Sequence, residues 1–328
     1  MKLFNATPFS LSVSSLPISS FRSRSAAHLR ASFNYSNLGQ MLVLADSQGE
    51  PPLADSYRDD PLSSSLIEPS FLHLGKPGTD LLVKGVAYAP GNAPCYRWDV
   101  KVQAPGVDNQ ISIFGDRYWK EGMIVSKHKR ANIHMHYEYA FGGVSSDTDD
   151  PSQHSKVAHN PAGVGASRDD ILLPNIEQTA QLIQRKTDAP TPAGLGPLAP
   201  HWANRYQYAG TYDARWQSTR APFLPDDFNL LFNQAAHPAM QTKTPYTGGE
   251  TITIQGMHPD SVLRFSLPNI RFASRFFIAE QKSVRRPFVL ETVAINTQEE
   301  TIILDWRASI DHKGGIEHIR RVEAEERR

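Results

Sequence analysis

Between Phe71 and Trp119, apolar and polar residues alternate in short runs separated by Pro- and Gly-bearing turns. Lys76-Pro77-Gly78-Thr79-Asp80 opens a run from Leu81 to Tyr88, and Pro90-Gly91-Asn92 follows it. Tyr96, Trp98, Val100 and Val102 then alternate with Arg97, Asp99 and Lys101. A third run, Ile111 to Phe114, ends in Gly115-Asp116-Arg117-Tyr118-Trp119. Successive side chains of a strand point to opposite faces, so period-two alternation between turns predicts half-buried antiparallel strands. The stretch reads as a platform and contains no recognisable catalytic device.

The same reading divides the chain into three zones. The first, 1–145, is strand-rich. Phe9, Leu11 and Val13 alternate with serines, and Phe21–Tyr35, Met41–Ala45 and Ile133–Tyr139 read as strands. Asp46–Pro69 reads as a loop. The second zone, 146–250, holds the polar run SSDTDDPSQHS and the Pro/Gly-rich run PTPAGLGPLAP at its start and middle. Short helices are expected at Ile176–Lys186, with Asn175 as N-cap, and at Asp226–Ala236. Trp202, Tyr206, Tyr208, Tyr212 and Trp216 mark this zone as ordered, because a disordered linker carries few aromatics. The third zone, 251–309, returns to strands: Thr251–Ile254, Val262–Leu267, Arg275–Ala279, Phe288–Ile295 and Thr301–Trp306. His258-Pro259-Asp260 is the expected turn between the first two. Residues 310–328 are highly charged and are expected to form a short exposed helix or a frayed tail. The sum is a mainly β fold: two packed antiparallel sheets, sandwich-like, with a loop-rich insertion and a few short helices, in one domain over 1–309.

Lys+Arg and Asp+Glu each number 34, so the formal net charge is zero. This argues against bulk attraction to nucleic acid or anionic lipid. Cys95 is the only cysteine, which excludes an intrachain disulfide and a zinc site built from several thiolates. The N-terminal residues lack the unbroken apolar core of a secretory signal, and no window approaches the roughly 20 apolar residues that span a bilayer. Cytoplasmic residence is the expectation.

Two groups of residues were weighed for chemistry. His134, His136 and Glu138 share one face of the Ile133–Tyr139 strand, where two imidazoles and a carboxylate suit zinc or iron(II). That set would support a metal-dependent hydrolase; the competing reading is a solvated strand face, and no metal or cofactor is expected. Asp80, Asp116, Arg117, Glu138, Arg205 and Asp213 stand beside glycines or aromatics. They read as an internal polar network that pins loops to a sheet, because charged groups persist in an interior only when paired. The chain has no Gly-x-Ser-x-Gly elbow, and Cys95 has no base beside it. Asn160-Pro161-Ala162-Gly163 and Phe141-Gly142-Gly143 lack the lysine of a phosphate loop and read as turns needing positive φ or close backbone approach. The basic runs at 127–130 and 282–286 read as solvated edges. Among the tryptophans, Trp202 and Trp216 in the loop-rich zone are the candidates for partner contact.

The order and spacing of these motifs resemble the bacterial family called domain of unknown function 2169. The resemblance is carried by Thr7-Pro8-Phe9, Lys76–Asp80, Gly115–Trp119 and Tyr137-Glu138-Tyr139-Ala140-Phe141-Gly142-Gly143. It continues through Asn160–Gly163, Leu173-Pro174-Asn175-Ile176-Glu177, Pro192–Pro197, Trp202 with Arg205, Ala209–Asp213, Pro225–Phe228 and Leu290-Glu291-Thr292. Members of that family are encoded beside type VI secretion genes. The resemblance implies a non-catalytic adaptor or chaperone that helps load an effector toxin onto the spike, near PAAR or VgrG proteins. It supplies no catalytic residues to carry over. A component that leaves the cell with the spike is a further reading, and a β platform with open edges suits either by strand addition.

Overall fold

The strands Arg22–Ser36 and Thr301–Lys313 pair antiparallel along their whole length, from Asn34 beside Thr301 to Arg22 beside Lys313. They form the spine of a six-stranded sheet. Ser10–Ser19 lies on one side of this pair, and Val289–Asn296 and then Asp80–Lys84 on the other; Met41–Leu44 also pairs with Arg22–Ser36. The last pairing, Val289–Asn296 with Asp80–Lys84, is parallel. This computed structural model describes residues 1–36, 41–145, 155–165, 172–259, 262–279 and 282–327.

Alternation explains how the spine packs. Ala27, Leu29, Ala31, Phe33 and Tyr35 fall on one face, as do Leu304, Trp306, Ala308 and Ile310 across the ladder, and all are buried. Near Leu29–Tyr35 this face packs on a five-stranded antiparallel sheet through Val100, Val102, Ile111, Ile252 and Leu263. The order there is Ile176–Gln178, Val107–Phe114, Arg97–Ala104, Thr251–Gln255, Leu263–Ser266. Near Ala27 and Ile310 the same face meets Phe276, Ile319 and Val322 of a four-stranded sheet. Its order is Lys2–Asn5, Ile319–Glu326, Phe272–Ile278, Lys282–Pro287, with Lys2–Asn5 running parallel to its neighbour. The fold is therefore mainly β and sandwich-like, with two sheets stacked in succession on the third.

Several expectations change. The charged segment after Ile310 is neither helix nor tail: the spine strand runs on to Lys313, and Ile319–Glu326 is the central partner of two strands. Ile319, Val322 and Ala324 are buried beneath flanking Arg and Glu residues, so charge composition hid a half-buried strand. The helix expected at Ile176–Lys186 is absent. Ile176–Gln178 is a strand on Val107–Phe114, and the Asn175 amide donates to the Phe114 carbonyl at 3.0 Å instead of capping a helix. Asp226–Ala236 contains only a single 3-10 turn, Leu230–Asn233. Leu81–Tyr88 divides at Gly85, whose φ is +144°, and Asp116–Lys120 forms its own hairpin with Met123–His128. The strand expected over Ile133–Tyr139 ends at His134, and Tyr137–Tyr139 is a 3-10 turn. Asp260 and most of the SSDTDDPSQHS run lie outside the described residues.

The loop-rich zone is an ordered layer. Leu195, Leu198, Trp202, Ala236 and Met240 are buried in the main core, and the Val83 amide donates to the Leu195 carbonyl at 2.9 Å. That bond and the bridge between Asp80 and Gln241 lay the loop-rich layer against the edge strand Asp80–Lys84. Among the described residues no helix is long and apolar enough to cross a membrane.

Candidate functional site

Where the three sheets meet, they leave an open apolar cleft of about 410 Å³. Phe272 opens the second inner strand of the four-stranded sheet, Phe272–Ile278. Leu290 and Trp306 come from paired strands of the six-stranded sheet, and Tyr246 from the loop leading into the five-stranded one. These four are buried and form the floor. Phe272 meets Trp306 edge-on at 5.3 Å and Phe288 at 6.5 Å between ring centroids, and Phe9 closes the cluster beneath at 5.4 Å from Phe272. Edge-to-face packing holds the rings in fixed positions, so the floor is preformed. The Tyr246 hydroxyl donates to the Pro105 carbonyl at 2.8 Å, and burial pushes its pKa up to about 12. It is a neutral anchor and is not poised to lose a proton. Ile270, Phe288 and Val289 form half-buried walls, and Arg271 and Arg327 stand exposed at the rim.

The opposite face of the six-stranded sheet carries the charge. A bulge between Leu290 and Thr292 inserts Glu291 as an extra residue. The Arg307 guanidinium donates to Glu291 at 2.7 Å and to the carbonyls of Phe71 and His73 at 2.7 and 2.8 Å. The Lys76 amide donates to Glu291 at 2.8 Å, and its ammonium group to Thr292 at 2.8 Å and Asp80 at 2.7 Å. The motifs Lys76–Asp80 and Leu290–Thr292 thus hold each other, and Arg307 ties down the loop before them. Arg30 pairs with Glu68 and lies near Asp305. A narrow cavity of about 60 Å³ remains between loop and sheet, room for a few waters. The charges here are spent on one another, and the arrangement is a clamp.

Burial, reinforced by Arg307, holds His73 and His28 of this clamp well below the ordinary imidazole pKa. Burial likewise pushes His237 down to about 4. Each stays neutral in the folded protein but protonates near pH 6.5 once unfolded. The unfolded state therefore binds more protons below that value, and stability falls as the pH drops. Urea unfolding between pH 7 and 5 is expected to show this loss, with each such histidine adding up to about 1.4 kcal/mol per pH unit. The substitution His73→Gln should flatten the slope by one such increment; an unchanged slope would mean that His73 protonates inside the fold.

The residues singled out from sequence fall at separate places. Trp202 is 1% exposed and packs edge-on to Tyr137 at 5.3 Å, so it is a core residue and no partner anchor. Its place beside the buried Pro192–Pro197 run accounts for this. Trp216 is half-buried, its ring N–H donating to the Phe223 carbonyl at 2.8 Å. Asp116 accepts from Arg130, while Arg117 holds Glu177 and lies 3.5 Å over the Phe114 ring. Arg205 donates to the carbonyls of Leu198 and Phe232, both at 2.9 Å. Asp213 is exposed and caps the helix Ala214–Thr219. Asp80, Asp116, Arg117, Glu138, Arg205 and Asp213 each pin a loop or turn through its own hydrogen bonds, and Asp80 also acts on Arg205 through its charge.

The Glu138 carboxylate accepts from the Ser65 amide and hydroxyl, both at 2.8 Å, while its charge still acts on His136. His134 and His136 stack at 5.2 Å, and Arg58 donates to His136 at 2.9 Å. Burial, then Arg58, pushes His136 down to about 4. Among the described residues no group of three or more His, Cys, Asp or Glu is placed to hold a metal ion. The cleft itself escaped the sequence reading, because its residues are scattered from 245 to 327 and only sheet topology joins them. One signal was present: two apolar-proline pairs, Pro245-Tyr246 and Pro287-Phe288, each stand just before a strand-forming segment.

A family model described as an uncharacterized protein conserved in bacteria (DUF2169) matches residues 22–307. No curated protein and no solved structure matches the chain.

Proposed function

The chain belongs to the DUF2169 family of bacteria, and from that premise we propose that it is a non-catalytic adaptor or chaperone that binds a type VI secretion effector in the cytoplasm and helps load it onto the spike. The observation that carries the reading is the cleft of about 410 Å³: an open aromatic floor with half-buried walls is a surface for another polypeptide. Support also comes from the charged side chains. Asp80, Asp116, Arg117, Glu138, Arg205 and Asp213 are engaged in ion pairs, a helix cap or hydrogen bonds to loops. The clamp fixes loops rigidly behind the cleft, which lowers the ordering cost of docking. The spike or spike-tip protein is the second partner in this reading.

The test is recovery of the tagged chain from its native cell under gentle lysis. An effector or spike protein is expected to accompany it in stoichiometric amount. Recovery of the chain alone, or of the chain with stoichiometric zinc or iron, overturns the proposal.

A further inference from the structure

We infer that the cleft between the three sheets receives an apolar side chain flanked by a carboxylate on a partner polypeptide. The polypeptide nature of the occupant rests on the adaptor reading; its chemistry is read from the cleft. The floor of Phe272, Trp306, Tyr246 and Leu290 is apolar and preformed, and the space of about 410 Å³ lies within the range that small ligands fill. Among the described residues, no Asp or Glu lines it. Two arginines do. Arg271 and Arg327 are held side by side, the Arg327 amide donating to the Arg271 carbonyl at 2.7 Å.

The rim sets the charge of the occupant. Arg24, Arg30, Arg117, Arg285 and Arg307 each hold a carboxylate. Arg271 and Arg327, like the exposed Arg264, Arg275 and Arg286, have no ion-pair partner among the described residues, and they are the charged side chains that line the cleft. Two guanidinium groups at the rim of an apolar floor, with no ion-pair partner among the described residues, complement an apolar anchor with an acidic neighbour, since the planar fork donates two parallel hydrogen bonds to a carboxylate. The anchor supplies most of the affinity, and the rim pair, being exposed, supplies orientation and discrimination.

The experiment is a titration of the whole chain, methyl-labelled at Ile, Leu and Val, with acetyl-Phe-Glu-amide and with acetyl-Phe-Gln-amide. The two differ only in the carboxylate. Both are expected to shift the methyl signals of Ile270, Val289 and Leu290, the Glu form binding about fivefold tighter. The double variant R271Q/R327Q should erase that difference while leaving the apolar shifts. Absence of shifts at these methyls, or equal affinity of the two dipeptides for the wild type, overturns the inference. The adaptor reading fails separately. Dipeptide binding with no partner recovered from native cells leaves the cleft standing and removes the adaptor. A partner retained equally by wild type and R271E/R327E leaves the adaptor standing and removes the cleft.

Discussion

Asp80→Ala is expected to destabilise the protein by about 3–5 kcal/mol, the range for removing one member of a buried ion pair. Asp80 is fully buried and Lys76 is 3% exposed at its side chain, with 2.7 Å between them. The same carboxylate accepts from the Ala235 amide at 2.8 Å, which links the turn to the loop-rich layer. Truncation leaves a buried ammonium group with only the Thr292 hydroxyl, and a buried amide with no acceptor, each a full desolvation cost. The urea midpoint and slope of variant and wild type measure the loss. Lys76→Met combined with Asp80→Leu should recover much of it, because neither charge then remains to be solvated. A loss under about 1 kcal/mol for Asp80→Ala would show that water reaches the pair, and the clamp would not be what fixes this turn.

Much of this architecture was legible because strand alternation is a local property. Arg22–Ser36, Arg97–Ala104 and Val289–Asn296 each carry it openly in their apolar and polar residues. Ile319–Glu326 carries it too, but its outward positions hold Arg and Glu, so composition outweighed periodicity and the strand read as a tail. The helix expected over Ile176–Lys186 fails for another reason. Asn before an apolar residue is a helix-start signal, yet here the Asn175 side chain satisfies the backbone carbonyls at the end of Val107–Phe114, a contact set by residues some sixty positions away.

The site follows the same division. Sequence marked Asp80, Arg117 and Arg205 as polar pins, and each does hold a loop in place. It could not show which partner each one holds, nor that the strand carrying His134 ends there and puts Glu138 on a 3-10 turn bonded to Ser65. Trp202 reads as a partner contact because it lies in the loop-rich zone, yet its indole is buried edge-on to Tyr137, against which Gly194 also brings the backbone close. The cleft depends on which sheets abut, and no local pattern encodes that.

The largest single loss is expected from Gly142→Ala. Phe141–Gly142 pairs in parallel with Val164–Gly165, and the buried Asn160 sits inside this crossing. Its side-chain amide donates to the carbonyls of Tyr137 and Phe141 at 2.8 and 3.0 Å, and its backbone carbonyl accepts from the Gly143 amide at 2.8 Å. Gly142 has φ +157°, and a Cβ there would lie against the Asn160 carbonyl oxygen, far inside van der Waals contact. Backbone on both sides cannot yield as a side chain would. A loss above about 4 kcal/mol is expected, seen as a collapse of soluble yield or of the urea midpoint. Gly106→Ala is the control: its φ is +78° but nothing lies within 4 Å of the added methyl. It should cost only the left-handed backbone strain, about 1–2 kcal/mol. If the two substitutions prove equally mild, the segments around Asn160 are not locked together, and the order of the loop-rich layer must come from the apolar burial of Leu195, Leu198 and Trp202 alone.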